Sequence, residues 1–223
     1  MKIKLRSQLK NFLLLSSSNL VLKVYGEIYR ILLVRRCGAE PFGLVGMVFP
    51  FYRLLVILIT MGLPAALVRL VAIEQARNNP AWILEAKKKA FSLVSLAASI
   101  IAFFLFLYAG PLGSLLFNDS RTSVLLRYLA LALNLNCLCL LYRGYLHGLN
   151  RIAPLVWAET AETVGESVFV VFILYSTACP GVERSAQTLA QGFILGELTC
   201  LLLLGTYDFL CIRPLMKHAV HPV

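Results

Sequence analysis

Charge is what this sequence has least of. Only 14% of its 223 residues are Asp, Glu, Lys or Arg, where a soluble domain carries roughly a quarter. Hydrophobic residues make up 59%, and the mean hydropathy is +0.79. That composition excludes an ordinary soluble domain and gives an integral membrane protein. The alternating pattern of barrel strands is also missing from the long apolar runs, so the expected class is all-α. Histidine is scarce: His147, His218 and His221 all lie near loops or the end of the chain. There is no serine nucleophile elbow, no glycine-rich phosphate loop and no close pair of acidic residues at a membrane face, which argues against an enzyme. No cofactor is called for. Cys137-x-Cys139 lacks the second pair that a zinc site needs, and His218-x-x-His221 is as slight a signal, so no metal is expected. All six cysteines except Cys37 and Cys179 sit well inside apolar runs and read as small apolar side chains. The net charge of +10 does not imply nucleic acid, because excess Lys and Arg in a membrane protein marks cytoplasmic loops.

The charges that are present fall in telling places. The first apolar segment contains Ser16-Ser17-Ser18-Asn19 and then Lys23, Glu27 and Arg30. The last three stand at i, i+4 and i+7, on one helical face, with Ser16 and Asn19 on the same face. A charge in hydrocarbon costs about 3 kcal/mol on insertion scales, so such side chains usually face protein or water.

Six crossings are expected, at about 12–34, 43–72, 90–109, 122–147, 154–177 and 187–211, in a single domain over 1–223. The basic residues 1–11 read as a lead into the first helix, retained because no small-residue cleavage site follows. Pro50 and Pro64 lie inside the second, with Gly62-Leu63-Pro64 the expected kink. Residues 73–90 read as a short amphipathic interfacial helix, with Trp82 at headgroup level. The third crossing reads as a lipid-facing wall, ended by Pro111 and Gly113 and a turn at Asn118-Asp119-Ser120. Thirteen loop and terminal Lys and Arg fall on one side and four on the other, which places both termini in the cytoplasm.

The fifth segment carries Glu159, Glu162 and Glu166 at i, i+3 and i+7, and the sixth carries Glu197. The simplest arrangement turns these carboxylates toward Lys23, Arg30, Arg53 or Arg127. In one reading the charges are buried pairs that fix helix packing, although such pairs are not clearly stabilising. In the other they line a hydrated cavity. Lys23, Glu27, Arg30, Arg53 and Arg127 would then form a substrate cavity for an anionic head group. Glu159, Glu162, Glu166 and Glu197 would be candidates for carrying a coupling proton or sodium ion. Arg suits a diphosphate because its planar donors reach two oxygens at once.

Several stretches, in order, resemble one family. K-x-x-G-x-x-Y-R (Lys23, Gly26, Tyr29, Arg30) and R-x-C-G-A-E (Arg35 to Glu40) are similar to the start of the stage V sporulation protein B-like exporters. These belong to the multidrug/oligosaccharidyl-lipid/polysaccharide flippase superfamily. FGLVGMVFPFYRLL (42–55) and GLPAALVRLVA (62–72) resemble their second helix, and RGYLHGLNRIAP (143–154) their junction of helices four and five. The resemblance implies one six-helix lobe of a two-lobed flippase for lipid-linked polysaccharide or peptidoglycan precursors. Its partners would be membrane lipids and a lipid-linked glycan diphosphate, and Arg30 and Arg53 match cavity positions of the lipid II branch. The second lobe would come from a partner or from a second copy in a parallel homodimer; the chain would otherwise be a truncated relative. A drug or cation exporter of the same superfamily and a non-transporting scaffold of cell-wall or spore synthesis are the alternatives.

Overall fold

The computed structural model describes residues 2–176, 181–212 and 214. His218, His221, Cys179, Arg213 and Lys217 lie outside the described residues. The chain is an all-α membrane protein, with no strand among the described residues. Eight helices follow one another: α1 (Lys2–Cys37), α2 (Glu40–Thr60), α3 (Leu63–Ala76), α4 (Pro80–Leu107), α5 (Ala109–Phe117), α6 (Thr122–Gly148), α7 (Ile152–Ser176) and α8 (Val182–Tyr207). A π-helical turn, Asp208–Ile212, continues α8.

The six expected segments correspond to these eight helices, and each departure has a local cause. The expected second segment, 43–72, is two helices. Met61 and Gly62 both take left-handed backbone angles, φ 44° and 76°. Pro64 then opens α3 in its first turn, where its missing N–H costs nothing. Pro50 stays inside an unbroken α2. The expected interfacial helix at 73–90 does not exist as a unit. Asn78 is left-handed, Asn79 Oδ1 accepts from the Trp82 N–H at 3.4 Å, and Pro80 starts α4. The lysines at 87–89 therefore belong to the long helix α4. Pro111 and Gly113 do not end a helix but lie inside α5, Pro111 in its first turn; left-handed Asn118 supplies the stop. Residues 2–11 are part of α1.

α2, α4, α6 and the run from Val182 to Ile212 are long and apolar enough to cross a bilayer. α7 has 25 residues, about 37 Å at 1.5 Å per residue and so also long enough. Every 18-residue stretch of it contains Glu159, Glu162 and Glu166. The centre of the bundle is α6, which packs against α2, α3, α4, α5, α7 and α8. Its Leu126, Leu129, Leu133, Leu141 and Leu146 are fully buried. Gly144 lets α3 approach: a Cβ there would stand 2.6 Å from the Pro64 carbonyl oxygen. Small residues at such crossings replace the hydrophobic drive that lipid does not supply. α4 turns Val94, Ala98 and Leu105 inward and leaves Leu93, Leu96, Ile100, Phe103 and Phe104 exposed, as a wall helix should. α1 lies mainly along α7.

Candidate functional site

Three helices bring a polar cluster together. On α6, Asn136, Cys139 and Arg143 stand at i, i+3 and i+7, one face of the helix. On α7, Glu159, Glu162 and Glu166 repeat that spacing. α8 contributes Glu197 and Cys200. The Arg143 guanidinium donates through Nη2 to Glu162 Oε2. Its Nε lies 3.9 Å from Glu159 Oε1, and its Nη2 lies 3.6 Å from Cys200 Sγ. Asn136 Nδ2 donates to Glu197 Oε1, and Cys139 Sγ donates to the Glu197 carbonyl oxygen at 3.4 Å. Glu166 packs one turn farther along α7, over Gly192 and Gly196 of α8.

The electrostatics of the cluster are lopsided. Four carboxylates share the cluster with one guanidinium, and two of them, Glu159 and Glu162, lie against it. Glu197 is 2% exposed, and its Oε2 has no hydrogen-bond partner. Arg143 and Glu159 keep about a quarter of their side-chain surface open, at 29% and 25%. The cluster is thus reachable from outside at one end and closed at Glu197. That arrangement can take up a proton on a carboxyl group and can present a guanidinium to an anion; among the described residues no three acidic, Cys or His side chains are placed to hold a metal ion.

Lys23, Glu27, Arg30, Arg53 and Arg127 are all exposed on the outside of this single bundle. Lys23, Glu27, Arg30 and Arg53 form no ion pair among the described residues; Arg127 lies over the Phe106 ring, 6.0 Å from its centroid. The carboxylates are therefore met by Arg143 and not by these five. The reason is geometric: α6 fills the space between α7, α8 and α2, while α1 and α2 turn their charges away. What ties α1 to α7 is a hydroxyl pair, Tyr25 Oη to Ser167 Oγ at 2.6 Å. Arg143 lies within the expected segment 122–147, but because it opens the polar run RGYLHGLNR it is counted from the sequence only among the basic residues of one side and not among the candidate site residues. The signal that could have found it was its spacing from Asn136 and Cys139, the same as that of the glutamates.

A second buried charge pair was also missed. Lys87 Nζ lies 2.6 Å from Asp208 Oδ2, with side-chain exposures of 8% and 1%. The ammonium stands 4.3 Å from the Tyr145 ring centroid, 4.8 Å from Tyr142 and 5.5 Å from Phe91. Lys87 and Asp208 are 121 residues apart, so no local pattern points to the pair. At the opposite end of the bundle, Arg121 donates to Asp119 at 3.0 Å and to Glu40 at 3.0 Å, and joins the start of α2 to the turn before α6. The Arg121 side-chain hydrogen bonds, and then its backbone N–H, hold the Asp119 carboxyl below its ordinary range.

A family model described as polysaccharide biosynthesis protein matches residues 8–214. Stage V sporulation protein B of Bacillus subtilis (strain 168) is 28% identical over 211 residues, which cover 92% of this chain and 39% of that protein. The uncharacterized membrane protein YabM of the same organism is 25% identical over 195 residues, 86% of this chain and 36% of its own length. The chain thus spans about two fifths of the length of the curated relatives it matches. No solved structure matches it significantly.

Proposed function

Because this chain belongs to the polysaccharide biosynthesis protein family and is a multi-pass membrane protein, we propose that it forms one lobe of a flippase-like exporter for lipid-linked polysaccharide or peptidoglycan precursors. The observation that carries the reading is the Arg143 cluster. A structural pair needs one acid and one base, whereas here Glu159 and Glu162 lie against a single partly open arginine and Glu166 and Glu197 extend the acidic side of the cluster. The excess of carboxyl groups is a place for a coupling proton, and Arg143 is the group whose partner changes as the proton comes and goes. Lys23, Glu27, Arg30, Arg53 and Arg127 are exposed and form no ion pair among the described residues, and in this reading they face a second lobe across a wet interior. There Arg30 and Arg53 grip the diphosphate, each guanidinium reaching two oxygens. The lobe crosses six times, with α1 and α7 as the charged crossings and both termini cytoplasmic. A relative whose name is that of a sporulation protein favours a glycan of cell-wall or spore-coat type.

The test uses the full chain in detergent and in proteoliposomes. A polyprenyl-diphosphate-linked glycan should bind the purified chain, and the double variant Arg30→Ala, Arg53→Ala should lose most of that binding. Light scattering and crosslinking through α1 in membranes ask whether the second lobe is another copy. Unchanged binding in the double variant would refute the substrate-cavity reading and favour the scaffold.

A further inference from the structure

The face of α6 that looks at α4 carries a feature the transport reading does not use. A cavity of about 710 Å³ opens between the first turns of α4, Tyr142 of α6 and the π-helical end of α8. Its walls are Leu84, Phe91, Tyr142 and Phe209, and its charged residues are Glu85, Lys87 and Lys88. The volume falls in the usual range for small-molecule sites, roughly 300–1,000 Å³.

The charges sort themselves. Lys87 has its ammonium drawn away into Asp208 and the three rings, so it gives the cavity its aliphatic stem. Glu85 is occupied by Lys89 at 2.7 Å. Lys88 is exposed at the mouth and forms no ion pair among the described residues. The site is therefore an apolar, aromatic slot with one unneutralised cation at its rim. We infer that this cavity binds one anionic phospholipid, its phosphate on Lys88 and an acyl chain along Phe91, Tyr142 and Phe209. This end of the bundle is the one where basic residues accumulate, and Trp82, partly exposed, sits at the start of α4 where a headgroup would lie. Basic pockets between helices on the cytoplasmic side are suited to anionic headgroups. The inference rests on the cytoplasmic assignment of this end, and not on what the protein transports.

Native mass spectrometry of the full chain in detergent, titrated with phosphatidylglycerol or phosphatidylcholine, tests it. One phosphatidylglycerol should be retained in preference to phosphatidylcholine. Lys88→Gln should weaken retention about fivefold, the worth of one lysine near an anionic surface. Leu84→Trp, which fills the slot without changing charge, should abolish it, as should the milder Ala81→Leu. Lys89→Gln, on the already paired lysine, should leave it unchanged. Equal retention of the two lipids, or retention that survives both slot-filling variants, would overturn the proposal.

Discussion

Two charge clusters flank α6, and they differ in balance and in access. Arg143 stands among four glutamates, partly open to the outside, with a carboxylate oxygen at its closed end that no group satisfies. Lys87 has one acid at 2.6 Å, three aromatic rings around its ammonium and almost no exposure. The second arrangement sets one acid against one base, and it fastens α4 to the end of α8 where the helix loosens to a π turn. The first is incomplete within this bundle, and an incomplete cluster is where an ion or a substrate can change the energy. Buried charge alone does not mark function; imbalance and access do.

The largest expected effect lies on the closed side. Lys87→Met removes the ammonium that lies 2.6 Å from the buried Asp208 carboxylate and should cost about 3–5 kcal/mol. The double variant Lys87→Met, Asp208→Leu should recover most of that, as read by thermal unfolding in detergent. A double variant as unstable as the single would mean that the pair does more than fasten two helices. On the open side, Arg143→Gln should keep the fold, because the group is partly hydrated, yet lower substrate transport or binding at least tenfold, the worth of a charge-assisted hydrogen bond. If Arg143→Gln unfolds the protein with no separable loss of binding, the two clusters are of one kind. Gly144→Ala tests the frame that holds both. Its methyl would stand 2.6 Å from the Pro64 oxygen, so α3 must shift, at about 1–3 kcal/mol. Glu159→Gln should change binding about twofold at most, since its oxygen is 3.9 Å from Arg143 and a quarter exposed.

The smallest effect is at the far end. Asp119→Asn removes an exposed, solvent-screened pair and should leave transport unchanged. The Asp119 carboxyl is held low in the folded state. Its contribution to stability is therefore present above the ordinary aspartate range, about pH 4, and is lost as pH falls through the lower folded value. Wild type should show a slight acid-side fall in melting temperature that Asp119→Asn lacks.

Much of this was legible residue by residue. The run 122–147 was read almost to its boundaries, because a long apolar stretch between a polar turn and a polar loop leaves no other choice in lipid. The glutamate face of α7 was legible from spacing alone. The bend at Gly62-Leu63-Pro64 was legible too, though not that left-handed Met61 and Gly62 would turn it into a full break; the separate helix α5 after Tyr108 was not legible. Nor was the partner of the glutamates, because helix spacing gives a face but not the neighbour it meets.

The sequence by itself determined that the chain lives in a membrane, that it is helical, and which side chains share a face. Those properties follow from local backbone hydrogen bonding and from the transfer cost of each segment. Only the tertiary structure decided that Arg143 and not Arg30 or Arg53 meets the carboxylates, and that Lys87 reaches Asp208 across 121 residues. Both depend on how each helix is rotated about its axis against its neighbours. That rotation is fixed by close packing at residues such as Gly144, and no single segment contains the information.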